Sequence, residues 1–212
     1  MLENNFPKKI SIFPLSSAIF FPRTILPLNI FEDRYIQLVN DCMKEKKMFG
    51  MVQPKTSSGK TPEVYQIGCL GKIVNFDETQ DKRFIISLSG IIRFRIINEI
   101  SENKLYRKFN VDYSEFANDL EEKKDKQINH DKNHVLKNIK KFFKKINYPI
   151  DDNKLSELSM EQLTNTVSMI SPFSVSEKQK LIETVEIEEK ITILEEIIKF
   201  NLLESAQGIR IQ

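Results

Sequence analysis

Apolar residues fall in short, alternating runs over the first half of the chain and recur every three to four positions over the second. Period two predicts half-buried strands, and recurrence at i, i+3, i+4 and i+7 predicts amphipathic helices. Residues 10–15 and 25–30 form two apolar runs, cut by Pro14 and Pro27. Proline has no N–H to give to a ladder, so both strands are predicted to sit at an edge, start late or contain a bulge. Between them, residues 18–23 form an apolar loop with Phe20 and Phe21 beside Pro22. Residues 31–47 predict a helix on which Phe31, Tyr35, Leu38 and Cys42 share a face. Its acidic residues lead and its lysines trail, the order that suits the helix dipole. Runs 49–53, 64–76, 84–89, 91–100 and 106–116 are rich in Ile, Val, Phe and Tyr and predict strands. Gly90 marks a bend or bulge between two of them. Arg93 and Arg95 alternate with Phe94 and Ile96, so the arginines share one face. Many short strands with one helix imply a small closed or half-closed barrel.

Near Asn118 the pattern changes. Residues 121–131 are polar and charged, and all that follows reads as helix. Val135, Ile139, Phe142 and Phe143 stripe one helix, whose other face carries Lys137, Lys140, Lys141, Lys144 and Lys145. Leu155, Leu158, Leu163 and Val167 stripe the next, with a break expected at Ser159. Ser174 and Glu177 have the spacing of a capping box. Ile187, Ile191, Leu194, Ile198 and Leu202 stripe the last helix, and residues 208–212 read as a frayed tail. The expected class is α+β: a barrel subdomain at 8–118, a charged linker or helix start at 119–131, and a helical bundle at 132–206.

Composition is that of an ordinary soluble chain, with 40% hydrophobic and 29% charged residues. A net charge of +2 does not point to nucleic acid. No apolar run approaches the roughly 20 residues that span a bilayer, and the opening residues lack the apolar core of a secretory signal. Cys42 and Cys69 match no CxxC pattern and read as reduced thiols in a cytoplasm. Candidate chemistry is sparse. Gly59-Lys60-Thr61 matches the tail of a phosphate-binding loop, but Pro54 stands where its first glycine is needed and has no N–H for a phosphate. His130 and His134 are four apart and would share a helix face as metal ligands, yet Asp131 follows where a zinc-protease motif has Glu. No catalytic residue, metal ligand or cofactor site is expected.

Several motifs agree in order with one family. Phe13-Pro14-Leu15, Phe21-Pro22 and the run Pro27-Leu28-Asn29-Ile30-Phe31-Glu32-Asp33-Arg34-Tyr35 resemble the opening of the N-terminal (LON) domain of ATP-dependent Lon proteases. Asn29 stands where His is commoner in that family, and Asp33 where Pro is common. The resemblance implies a PUA-like pseudo-barrel and recognition of proteins or unfolded segments, without the ATPase and protease modules. Phe13, Pro14, Leu15, Pro27, Ile30, Phe31, Glu32, Arg34 and Tyr35 are then structural. Phe20, Phe21, Pro22 and Arg23 are candidates for a protein-binding loop, or else tucked over the barrel end. The expected role is a non-catalytic binding module, an adaptor or regulator of proteolysis, with no membrane partner. The alternative is an RNA-binding barrel using Arg93 and Arg95.

Overall fold

The first proline-cut run forms β1 (Lys9–Pro14) and the second β2 (Ile25–Ile30). Then come helix α1 (Asp33–Lys44) and strands β3 (Met48–Val52), β4 (Ile67–Glu78), β5 (Phe84–Ile100) and β6 (Arg107–Asp112). In this computed structural model, residues 6–16, 18–55, 63–121, 125 and 128–207 are described, with side chains as far as 203. The loop holding Gly59, Lys60 and Thr61 and the tail at 208–212 lie outside them. The chain divides into two compact units, Met1–Glu121 and Glu122–Gln212.

In the first unit the sheet order is β2-β5-β4-β3-β1-β6, and β6 also pairs with β5. That second pairing closes five strands into a barrel and leaves β2 attached to the first half of β5. Closure removes edges that would otherwise invite pairing with other chains. β5 makes this possible by its length: residues 84–89 pair with β2, and residues 95–100 pair with β6. Its register against β4 slips at Leu70/Gly71, where Gly71 faces Gly90 and Leu70 faces Ile92. Two further slips leave Val74 and Ile97 as extra residues. Both are exposed. Phe49, Leu70, Leu88, Ile92 and Phe94 form the barrel core, each fully buried.

β2 is the edge strand expected of Pro27: Leu26, Leu28 and Ile30 are buried, while Ile25, Pro27 and Asn29 are exposed. β1 is not an edge. It lies between β3, with which it runs parallel, and antiparallel β6. Pro14 is tolerated because it is the last residue of β1, past the stretch Lys9–Ile12 that pairs with β6.

In the second unit α2 (Lys132–Lys145), α3 (Asp152–Glu157), α4 (Met160–Ile170), α5 (Val175–Glu183) and α6 (Ile187–Gln207) follow the predicted stripes. Ser159 is the expected break: it caps α4 in a capping box with Gln162. Ser174 and Glu177 form the same box at α5. Each box satisfies two otherwise orphaned backbone donors. Val135, Ile139, Phe142, Phe143, Leu163, Val167, Leu181 and Leu194 make the core. Thr164 and Ser168, buried within α4, donate to the carbonyls one turn back and so need no other partner. Among the described residues, no helix is long and apolar enough to cross a membrane.

Candidate functional site

α1 begins at Asp33, two residues later than the helix expected from the sequence, with Glu32 at its N-cap. This moves Phe31 out of the helix. The residue is 64% exposed, and the expectation that it packs in the core is corrected. Its spacing from Tyr35 fits a helical stripe only if the helix already includes it. Tyr35, Leu38, Val39 and Cys42 form the true buried face.

The end of β1, the end of β2, the start of α1 and the β5–β6 loop enclose a groove of about 570 Å³. Ligand sites have volumes of this order, about 300–1,000 Å³. Its inner wall is aromatic: Phe13 stacks on Tyr35 with ring centroids 4.0 Å apart, and the Arg34 guanidinium lies 4.5 Å from the Tyr35 centroid. Burial, above all, raises the Tyr35 phenol above its ordinary value. Two exposed apolar side chains also line the groove, Phe31 and, at 63% exposure, Leu105. The charged groups nearby are paired: Glu32 with Arg34 at 2.7 Å and Arg107 with Glu99 at 2.7 Å. The Glu32–Arg34 contact is direct, which helix geometry alone would forbid at this spacing; Glu32 reaches back because it stands outside the helix.

Eight of the motif residues expected to be structural line this groove: Phe13, Pro14, Leu15, Ile30, Phe31, Glu32, Arg34 and Tyr35. Pro27 sits further back on β2. Sequence reasoning missed Leu105, Tyr106 and Arg107, which supply another wall. The available signal was a lone leucine in the polar run Ser101-Glu102-Asn103-Lys104.

The loop at 18–23 is elsewhere. Phe20 and Phe21 are 2% and 0% exposed and Pro22 is buried, so these residues belong to the core and offer no side chain to a partner. Arg23, half-buried, donates to the backbone carbonyls of Asp119 (2.8 Å) and Glu121 (2.6 Å). Arg93 and Arg95 do share a face, and both hold the 3-10 stretch Ser114–Leu120. Arg93 is buried against Asp119 at 2.7 Å, and Arg95 pairs with Glu115 at 2.7 Å.

In the second unit His130 precedes α2, so it does not share a helical turn with His134. His130 meets Thr192 (3.3 Å) and His134 meets Glu195 (3.3 Å). Among the described residues, no group of three His, Cys, Asp or Glu side chains is placed to hold a metal. Lys137, Lys141 and Lys144 are exposed along α2, while Lys140 pairs with Asp152 at 3.5 Å.

The ion pairs around the groove set a pH dependence. The Glu99 carboxyl is held below its ordinary value by the Arg107 hydrogen bond, and Asp41 by hydrogen bonds from Lys104 and Tyr106. A carboxylate lowered by folding stabilises the fold above its unfolded value, near 4, and that stabilisation is lost as pH falls through the folded value. The melting temperature of the first unit, followed by near-ultraviolet circular dichroism, is therefore expected to hold from about pH 7 to 5 and to fall below about pH 4. A melting temperature that stays level down to about pH 2 would show that these carboxylates do not couple to folding.

The barrel, followed by a helical unit, defines an α+β class of domain. Residues 9–199 match the family described as "ATP-dependent protease La (LON) substrate-binding domain". The chain belongs to this family. A Lon protease of Dictyoglomus thermophilum is 26% identical over 194 residues, covering 87% of this chain and 23% of that protein. Lon protease 2 of Myxococcus xanthus is 20% identical over 199 residues, covering 92% of this chain and 24% of that protein. The chain thus spans about a quarter of the length of these curated relatives. Among solved structures, a Lon N-terminal domain protein from Xanthomonas campestris superposes with a TM-score of 0.64 at 18% identity, covering 88% of this chain and 96% of that one. The N-terminal domain of the Mycobacterium avium complex Lon protease does so with a TM-score of 0.58 at 13% identity, covering 91% and 98%. These two show the shared fold.

Proposed function

We propose that the chain is a non-catalytic recognition module whose groove takes extended, apolar segments of protein substrates, in the manner of an adaptor for proteolysis. The observation that carries this reading is the pair of exposed apolar side chains, Phe31 and Leu105, lining a groove with an aromatic wall. Large side chains left in water beside a concavity mark interaction sites more often than scattered surface apolar residues do. The groove also runs along the end of β2, an edge strand. An extended peptide there gains main-chain hydrogen bonds from the edge and side-chain contacts from the groove. Family membership supports a protein substrate, since the matching family is described as a substrate-binding domain of a protease. The charged groups at the groove are already paired with one another, which favours apolar over ionic recognition. The two arginines of an RNA-binding reading, Arg93 and Arg95, each hold a carboxylate instead. Cytoplasmic residence fits Cys42 and Cys69, both buried free thiols, with burial pushing the Cys42 thiol up to about 12.

The test is fluorescence anisotropy with a labelled decapeptide of alternating phenylalanine and serine, and an all-polar decapeptide as control. Phe31→Asp and Leu105→Asp are each expected to weaken binding of the apolar peptide by about tenfold or more, the effect of losing one anchoring contact. Both positions are exposed, so both variants fold. Equal binding by wild type and variants would move recognition away from the groove, and equal binding of the polar control would deny apolar selectivity.

A further inference from the structure

The six-residue loop joining β5 to β6, residues 101–106, brings Leu105 to the groove, and five of its six residues are exposed. A loop with so little buried surface has little apolar packing to hold it in one conformation and carries a large ordering cost. Here it is tied at three points to one helix. The Asp41 carboxylate accepts from Lys104 Nζ at 2.9 Å and from the Tyr106 hydroxyl at 3.0 Å, both on Oδ2. Gln37 Oε1 accepts from the backbone N–H of Leu105 itself at 2.9 Å. The bonds bracket the leucine on both sides and fix its own amide. Arg34, Gln37 and Asp41 follow the spacing i, i+3, i+7, so they form one stripe of α1. The same stripe therefore begins at one wall of the groove, where Arg34 lies beside Tyr35, and ends by holding the wall that carries Leu105.

We infer that Asp41 and Gln37 are positioning residues for peptide recognition: they latch the β5–β6 loop to α1 and so set the place of Leu105 at the groove. This rests on the groove reading given above. Neither residue touches the groove, and each acts only through the loop. The latch also makes the site's affinity depend on helix α1, so a change at Asp41 alters binding without altering the apolar lining.

The experiment pairs two readouts on the full chain. Hydrogen exchange over residues 101–106 is compared in wild type, Asp41→Ala and Gln37→Ala, and each is titrated with the labelled phenylalanine–serine decapeptide. Expected are faster exchange confined to 101–106 and about fivefold weaker binding in Asp41→Ala, with a smaller change in Gln37→Ala. Because the latch acts through Leu105, Asp41→Ala added to Leu105→Asp is expected to cost almost nothing more. Unchanged exchange in both single variants overturns the latch. Full additivity with Leu105→Asp overturns its action through the leucine. Failure of the wild type to bind the peptide sinks the groove reading, and with it the latch as a binding device, while the exchange data still report whether the loop is tied by α1.

Discussion

Asp119→Ala is expected to destabilise the barrel unit by about 3–5 kcal/mol, the cost of stranding one member of a buried ion pair. Arg93 is 2% exposed and Asp119 7%. The carboxylate accepts from Arg93 three ways: from Nη2 at 2.7 Å, from Nε at 2.9 Å and from the backbone N–H at 2.9 Å. The guanidinium also lies 4.5 Å from the centroid of the Phe116 ring, which closes it off further. Without Asp119 the guanidinium keeps its charge, since arginine does not deprotonate in proteins, and it stays out of water. The β5 backbone N–H loses its acceptor as well. Replacing both partners, as Arg93→Met/Asp119→Leu, is expected to be much milder, because it removes the charge along with the pairing. Urea unfolding followed by near-ultraviolet circular dichroism reads the loss, and exchange of the β5 amides places it in the barrel. A loss below about 1 kcal/mol in Asp119→Ala would mean that water reaches the guanidinium, and that the 3-10 stretch is not closed over β5 as described.

The elements were largely legible because their patterns are local. Strands and helices follow the alternation of apolar positions, and the capping box at Ser174 could be read because a cap and its partner are three residues apart, while Ser159 was read only as a break. What could not be read depends on partners far along the chain. Whether β1 is an edge is decided by β3 and β6, which lie some 40 and 100 residues away, and a proline at a strand's last residue is neutral evidence. Phe31 was misplaced because a difference of two residues in a helix start exchanges a buried position for an exposed one. The motif residues at the groove were visible through the family resemblance, which said that they matter but not that they meet. Leu105 carried only the weak signal of a lone leucine after a polar run, and Asp41 carried none. Their roles come from hydrogen bonds spanning 63 to 68 positions. The apolar loop at 18–23 was the most ambiguous stretch, since a phenylalanine pair beside a proline suits a lid over a core as well as a sticky surface.

Gly90→Ala is the sharpest test of where that loop sits, and it is expected to destabilise the barrel by about 3 kcal/mol or more. A Cβ at Gly90 would stand 2.0 Å from the carbonyl oxygen of Phe21, 2.8 Å from its carbonyl carbon and 3.2 Å from the Pro22 Cα. These are backbone atoms, so no rotamer change relieves the clash. The loop is also held at this point by the main chain: the Arg23 N–H donates to the Gly90 carbonyl and the Gly90 N–H to the Thr24 carbonyl, each at 2.9 Å. Arg23 adopts a left-handed φ of 57° there, and the Thr24 hydroxyl donates to the Phe21 carbonyl at 2.7 Å. Making room for a methyl group therefore means lifting the segment off β5, breaking both backbone bonds and disturbing Phe20 and Phe21 in the core. Glycine fits because it alone lets another backbone approach a strand so closely. A Gly90→Ala protein as stable as wild type in urea would mean that the segment does not rest on β5. Phe20 and Phe21 would then be available as a binding surface, and the groove at Phe31 and Leu105 would lose its standing as the apolar site of the barrel.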